Sequence, residues 1–317
     1  SITAGYKNNS FYLKKFFNQN KDEHPRSCSK KTQHEMKKKK INNNKIKNLN
    51  QEIYKTYENN SWEVYAKTQV NTSFVSKQKF INELNLDINK KIVVLFSHIY
   101  FDATFSWGEN IFNDYEDWLC MSIKSLLKNK KINIILKIHP ANISKNFSDK
   151  KNKFKEINSL KKTLNKIPKN LKIILPDSKI STYSVIKFMD VCITVRGTVG
   201  IEAILQKKLV LTCGSGRYDR LGFTKDFANR SKYLKYLEKS NFETNKKINF
   251  KLGEKFAYYS MVKRPFFPKT TISKYILKKA NFPNCFFSPK NLNDKKFKSD
   301  FKKLTDWIKN KDEDYLN

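Results

Sequence analysis

Two segments place polar residues at the ends of apolar runs. One is Ile132–Pro140, Ile-Asn-Ile-Ile-Leu-Lys-Ile-His-Pro, and the other is Val191–Glu202, Val-Cys-Ile-Thr-Val-Arg-Gly-Thr-Val-Gly-Ile-Glu. Each run reads as a buried strand. In open α/β sheets, ligands bind outside the carboxyl ends of the strands. His139 is aimed by Pro140, which fixes the path of the chain, and Lys137 adds a second donor nearby. Together they suit a diphosphate or a phosphodiester leaving group. Gly197 and Gly200 sit where a strand passes into a helix, and a helix N-terminus presents N–H groups to an anion. Thr198 can donate a hydroxyl there and Arg196 can add charge. Glu202, in the first helical turn, can accept both hydroxyls of a ribose. Complementation of the helix dipole explains a carboxylate there equally well.

The chain has 8 glycines, and Gly197, Gly200, Gly214, Gly216 and Gly222 share one window. Glycine serves where backbone turns tightly or approaches a ligand closely. Gly214-Ser215-Gly216-Arg217-Tyr218 follows a strand, so Ser215 and Tyr218 are candidates to hold a base or a phosphate. A plain turn also explains these glycines. The loop 97–110 follows another strand, and its Asp102 and Glu109 are the candidates for general base or nucleophile. His98 lines the same cleft or packs in the core. His24 and His34 lie in low-complexity sequence and are expected at the surface. No Walker motif, GxGxxG, HExxH, GxSxG or Cys/His cluster is present, and no Asp-x-Asp follows a strand. No metal site is therefore expected.

These residues need a sheet to hold them. Apolar runs at 92–96, 132–138, 171–175, 191–195 and 209–212 read as strands. Helical patterns at 114–128, 150–166, 182–189 and 200–206 alternate with them, and Asn113 or Asp114 can cap the first. This alternation predicts a parallel, doubly wound sheet. Beyond Gly222 the pattern turns helical, around 231–238, 255–262 and 301–309. Residues 1–60 are polar and basic, and predict a poorly packed region with one helix near 49–57; a short helix is expected at 76–86.

The 317 residues fit one large domain or two modest ones, and the net charge is +35. Lys is mixed with Asn and Ile throughout, as an AT-rich genome would produce, so much of the charge reads as solvated surface. A basic surface still attracts polyanions or an anionic leaflet. Dispersed lysines without an RRM or helix-turn-helix pattern argue against nucleic acid as the partner. The 5 cysteines show no CxxC pair, which fits a reduced, cytosolic chain. No apolar run approaches a membrane span and no signal peptide is visible. The chain begins at Ser1 rather than Met, and an N-terminal part is expected to be missing.

Phe101-Asp102, Asp117-Trp118-Leu119, Leu136–Ala141, Arg196–Ala203 and Tyr218 with Gly222-Phe223, in that order, resemble the capsule polysaccharide biosynthesis family. That family includes the β-Kdo transferases of capsule lipid linkers. The resemblance covers about residues 75–270. It implies a GT-B glycosyltransferase of two Rossmann-like domains, with the donor nucleotide held mainly by the second. Residues 1–90 would be a remnant of the acceptor-side domain, largely missing here, with a basic linker. Residues 91–228 would form the Rossmann-like nucleotide-sugar-binding domain, and 229–317 a helical extension packing back on the fold. The resemblance assigns His139 and Thr198 to the donor phosphate and Glu202 to ribose; the family often has Ser at the position of Thr198. It implies metal-independent transfer from a nucleotide sugar, with CMP-Kdo the candidate, to a glycan or lipid acceptor, and no cofactor. The expected setting is cytoplasmic, peripheral to an anionic inner membrane or to capsule-assembly proteins. A UDP-sugar 2-epimerase of the same fold, a nucleic-acid-binding protein and an inactive assembly scaffold are the alternatives.

Overall fold

The computed structural model describes residues 1–7, 10–19, 23–59, 72–100, 108–142, 154–214, 216–244, 247–269, 276–277, 283–284 and 294–317. Its centre is a parallel sheet of β3 (Lys91–Phe96), β4 (Ile132–Lys137), β5 (Leu171–Ile174), β6 (Val191–Ile193), β7 (Leu209–Cys213) and β8 (Lys225–Phe227). The strands lie in the order β5-β4-β3-β6-β7-β8, and every neighbouring pair is parallel. The order reverses between β3 and β6, and that crevice is where such sheets take ligands.

The inner strands β3, β4, β6 and β7 read as nearly continuous apolar runs because both faces are covered. Val93, Leu95, Ile134, Leu136, Ile193 and Leu211 face one layer, made by α4 (Tyr115–Leu126), α5 (Lys155–Leu164) and α8 (Arg230–Lys239). Ile92, Val94, Ile135, Cys192 and Val210 face the other, which contains α3 (Lys77–Glu83), α6 (Thr182–Phe188), α7 (Thr198–Leu205) and α9 (Phe250–Tyr258). Asp114 caps α4, its side chain accepting from the Asp117 N–H at 2.7 Å. β8 escaped the sequence reading because Lys225-Asp226-Phe227 is a half-buried edge strand with no apolar run.

The N-terminal region is not poorly packed. α1 (Lys30–Lys38) and α2 (Asn43–Glu58) join the second layer through Met36, Ile46, Leu49, Ile53 and Tyr57, all buried. The α2 residues recur at helical spacing, but Asn and Lys between them make the average composition polar. β1 (Ile2–Ala4) and β2 (Phe11–Leu13) pair antiparallel, and β9 (Pro265–Phe266) adds to β2. The C-terminal segment, expected to be helical, thus also holds strands: β9, which closes on the N-terminus, and an antiparallel pair of Ile276–Leu277 with Pro283–Asn284. It ends in α10 (Lys295–Lys309).

Candidate functional site

The carboxyl ends of β3, β4, β6 and β7 bring Ser97-His98, Lys137–Pro140, Thr194–Thr198, and Gly214 with Gly216-Arg217-Tyr218 to one edge of the sheet. His98 crosses the crevice between β3 and β6. Its Nε2 accepts the Val195 N–H at 3.1 Å and lies 3.0 Å from Thr194 Oγ1. The ring stacks on Tyr115, with centroids 4.4 Å apart and planes inclined by 13°. Burial, then His139 and Arg196, pushes its pKa down to about 3. His98 is thus a neutral staple rather than a proton carrier at neutral pH.

The turn into α7 is held from two sides. Thr194 Oγ1 accepts the Gly197 N–H at 3.1 Å, and the Tyr218 hydroxyl donates to the Gly197 carbonyl at 2.7 Å. Gly197 is the N-cap of α7 and makes no side-chain cap, so the helix start presents backbone donors and a positive dipole end. Tyr218 is 1% exposed and shapes the turn rather than offering itself to a ligand. It also explains Gly200, where a Cβ would overlap the Tyr218 hydroxyl. That glycine makes room for a tyrosine, whereas the sequence suggested room for a ligand.

Arg217 completes the turn. Its Nη1 donates to Thr198 Oγ1 at 2.9 Å. The side chain is 8% exposed, its Nε has no acceptor, and no carboxylate among the described residues forms an ion pair with it. Burial, then the charge of Arg26, pushes its pKa down to about 10, still leaving the guanidinium charged at neutral pH. Its charge acts on buried Glu202 without forming an ion pair with it, and an anion bound beside a buried guanidinium offsets the cost of burying that charge. Arg217 lines a cleft of about 300 Å³ with Glu23, Ser27, Gly216 and Asp219. Glu23 is engaged by Lys14 at 2.6 Å. His24 is half-buried beside this cleft, contrary to its expected surface position. Burial, then Arg217, Arg26, Arg196 and Lys14, pushes its pKa down to about 2.

His139 stands exposed at the end of β4. Its N–H donates to Ser97 Oγ at 2.9 Å, and its Nδ1 accepts the Ala141 N–H at 3.1 Å. The neutral ring therefore carries its proton on Nε2, as a donor. Ser97 donates to buried Glu156 at 3.3 Å, and Asn142 donates to the same carboxylate oxygen, so Glu156 fixes both flanks of the His-Pro turn. Lys137 stays apart from this group. Its Nζ lies 3.4 Å from the carbonyls of Ile138 and Leu175, on the β5 side. Burial, opposed by Asp177, pushes its pKa down to about 8.

Glu202 corrects a further expectation. It is 4% exposed, with Oε1 accepting from the Tyr6 hydroxyl at 3.0 Å and Oε2 from the Tyr57 hydroxyl at 2.7 Å. It faces the N-terminal segments and presents no free oxygens to a diol. Glu109 is exposed in an ion pair with Arg220. Arg196 is buried, and its Nη2 donates to Asn110. Asp102 and Ser215 lie outside the described residues. Arg217 was available to sequence reading, as a cation inside a glycine-rich turn after a strand. Glu156 gave no such signal, because only the fold brings it under Ser97.

The fold is a doubly wound α/β sheet whose carboxyl edge carries His139, Thr198 and Arg217. Residues 7–250 match the family described as capsule polysaccharide biosynthesis protein, and the chain belongs to that family. The matched region takes in most of the N-terminal segment. No curated protein sequence matches the chain at a significant level. The structure is similar to the β-Kdo 2,4 transferase KpsC of Thermosulfurimonas dismutans, at 15% identity over 90% of this chain and 76% of that one, with a TM-score of 0.45. It is similar to the β-Kdo 2,7 transferase KpsC of the same organism, at 14% identity over 97% and 77%, with a TM-score of 0.43. A complex of Anabaena HepE with UDP and glucose matches at 13% identity over 59% and 49%, with a TM-score of 0.39.

Proposed function

We propose that this protein is a glycosyltransferase of capsule polysaccharide assembly, using a nucleotide-sugar donor whose phosphate sits at the start of α7. The observation that carries this reading is the buried guanidinium of Arg217, which forms no ion pair among the described residues and donates to Thr198 at the N-terminus of α7. When the sugar carbon is attacked, negative charge grows on the departing phosphate. In this reading the α7 backbone, Thr198, Arg217 and His139 donate to it. The acceptor proton passes to a carboxylate of the loop after β3, Asp102 or Glu109. CMP-Kdo is the first donor to try, with a glycan or lipid-linked acceptor.

The test is thermal unfolding with CMP, UDP, GDP and ADP. One nucleotide is expected to raise the melting temperature, because it binds the folded chain alone. Arg217→Met should weaken that nucleotide about tenfold or more, since it removes charged hydrogen bonds. His139→Ala should lower transfer about a hundredfold. No stabilisation by any of the four would overturn the reading. Product formation without an acceptor would point to a sugar epimerase instead.

A further inference from the structure

α10 carries a second feature that the donor site does not use. Its inner side is anchored: Leu304 and Trp307 pack on the cluster of Leu13, Phe266 and Tyr315. Buried Asp300 accepts the Lys269 N–H at 2.6 Å. The exposed flank beside that anchored side holds two parallel rows. Phe297, Phe301 and Ile308 recur at i, i+4 and i+11 and share one stripe with anchored Leu304 at i+7, so the stripe borders the packed side and leaves Phe301 and Ile308 outward. Lys298, Lys302 and Lys309 each follow by one residue, which places a cationic stripe about 100° around the helix from the apolar one. Phe301 is 58% exposed and Ile308 63%, and the three lysines are exposed. The Phe297 and Phe301 rings stack, with centroids 6.1 Å apart.

We infer that the exposed flank of α10 is a docking face for an anionic lipid bilayer. The chemistry on the page selects this partner over other polyanions. A nucleic acid or acidic glycan would engage the lysines but would leave the large apolar side chains in water. A bilayer interface takes both at once, receiving the apolar stripe below the headgroups while the lysines meet lipid phosphates. The net charge of +35 draws the whole chain to such a surface. Among the described residues no helix is long and apolar enough to cross a membrane, so the contact is peripheral. The inference stands independently of the donor reading.

The full chain is sedimented with mixed phosphatidylcholine–phosphatidylglycerol vesicles and with pure phosphatidylcholine vesicles. Binding is expected to the mixed vesicles and to be at least about tenfold weaker to the neutral ones. The double variant F301S/I308S should lose about tenfold or more in partitioning while melting like the parent, because both side chains are exposed. K298Q/K302Q/K309Q should lose the preference for phosphatidylglycerol. Equal binding to both vesicle types would overturn the inference. So would anionic-vesicle binding that F301S/I308S leaves unchanged, since that marks charge attraction shared by any polyanion.

Discussion

Glu202 shows how far a single residue can be moved by its surroundings. Burial pushes its pKa from an ordinary 4.5 up to about 7, against the opposing pull of the Tyr57 and Tyr6 hydroxyls and of Arg217. The folded chain therefore holds this proton more tightly than the unfolded one. The resulting stabilisation is complete below about pH 4.5 and is lost as pH rises to about 7. His98 gives the opposite slope: its lowered pKa contributes stability above about pH 6.5 that is lost as pH falls toward 3. The difference between Glu202→Gln and the parent isolates the carboxyl. Gln keeps an acceptor for the tyrosines and cannot ionise. The variant is expected to melt above the parent at pH 8, with the difference shrinking toward pH 4.5. Melting curves across that range check this, and a difference that does not vary with pH would refute it.

At the scale of elements, the turn into α7 is a packed unit rather than an open loop. Alanine ordinarily improves a helix over glycine by about 1 kcal/mol. At Gly200 the added Cβ overlaps the Tyr218 hydroxyl, so Gly200→Ala is expected to destabilise by about 1–3 kcal/mol. Tyr218→Phe alone loses the bond to the Gly197 carbonyl, about 1 kcal/mol. Because the second change removes the oxygen the first collides with, the double variant should lose less than the sum of the two. Urea unfolding of the four proteins measures that coupling, and additive losses would refute the packing account. The same turn shows what the sequence could and could not tell. The strands β3, β4, β6 and β7 were legible because burial on both faces makes them nearly unbroken apolar runs, and the edge strand β5 by Leu171, Ile173 and Ile174. The positions of His139 and Thr198 at the carboxyl edge were legible because each follows such a run. The purpose of Gly200 was not, because its partner Tyr218 arrives from beyond the next strand. Glu202 misled for a related reason: the tyrosines that occupy it come from residues 6 and 57, within a region whose average composition is polar.

On the scale of the whole molecule, the two ends of the chain close on each other over the cleft. Arg264 and Asp314 form an ion pair at 2.9 Å with side chains 1% and 0% exposed. The second oxygen of Asp314 accepts the Ser29 N–H at 2.7 Å, and Arg264 donates to the Arg26 carbonyl at 2.6 Å. The guanidinium lies 5.4 Å from the centre of the Tyr12 ring, on β2. One pair thus joins β9, β2, the C-terminal tail and the segment that carries His24 and Ser27 beside Arg217. Removing one charge leaves the other buried without its partner, which typically costs about 3–5 kcal/mol. Asp314→Asn is therefore expected to lower the denaturant midpoint strongly. Replacing both charges, as Arg264→Met with Asp314→Leu, should recover most of that loss, because no lone buried charge remains. The cleft adds a second readout. If the pair holds the 24–29 segment over Arg217, then Asp314→Asn should also raise the rate of amide exchange at Ser29, whose N–H it ties down. A midpoint equal to the parent's, or a double variant no better than the single one, would show that the chain ends are held by their apolar contacts and not by this pair.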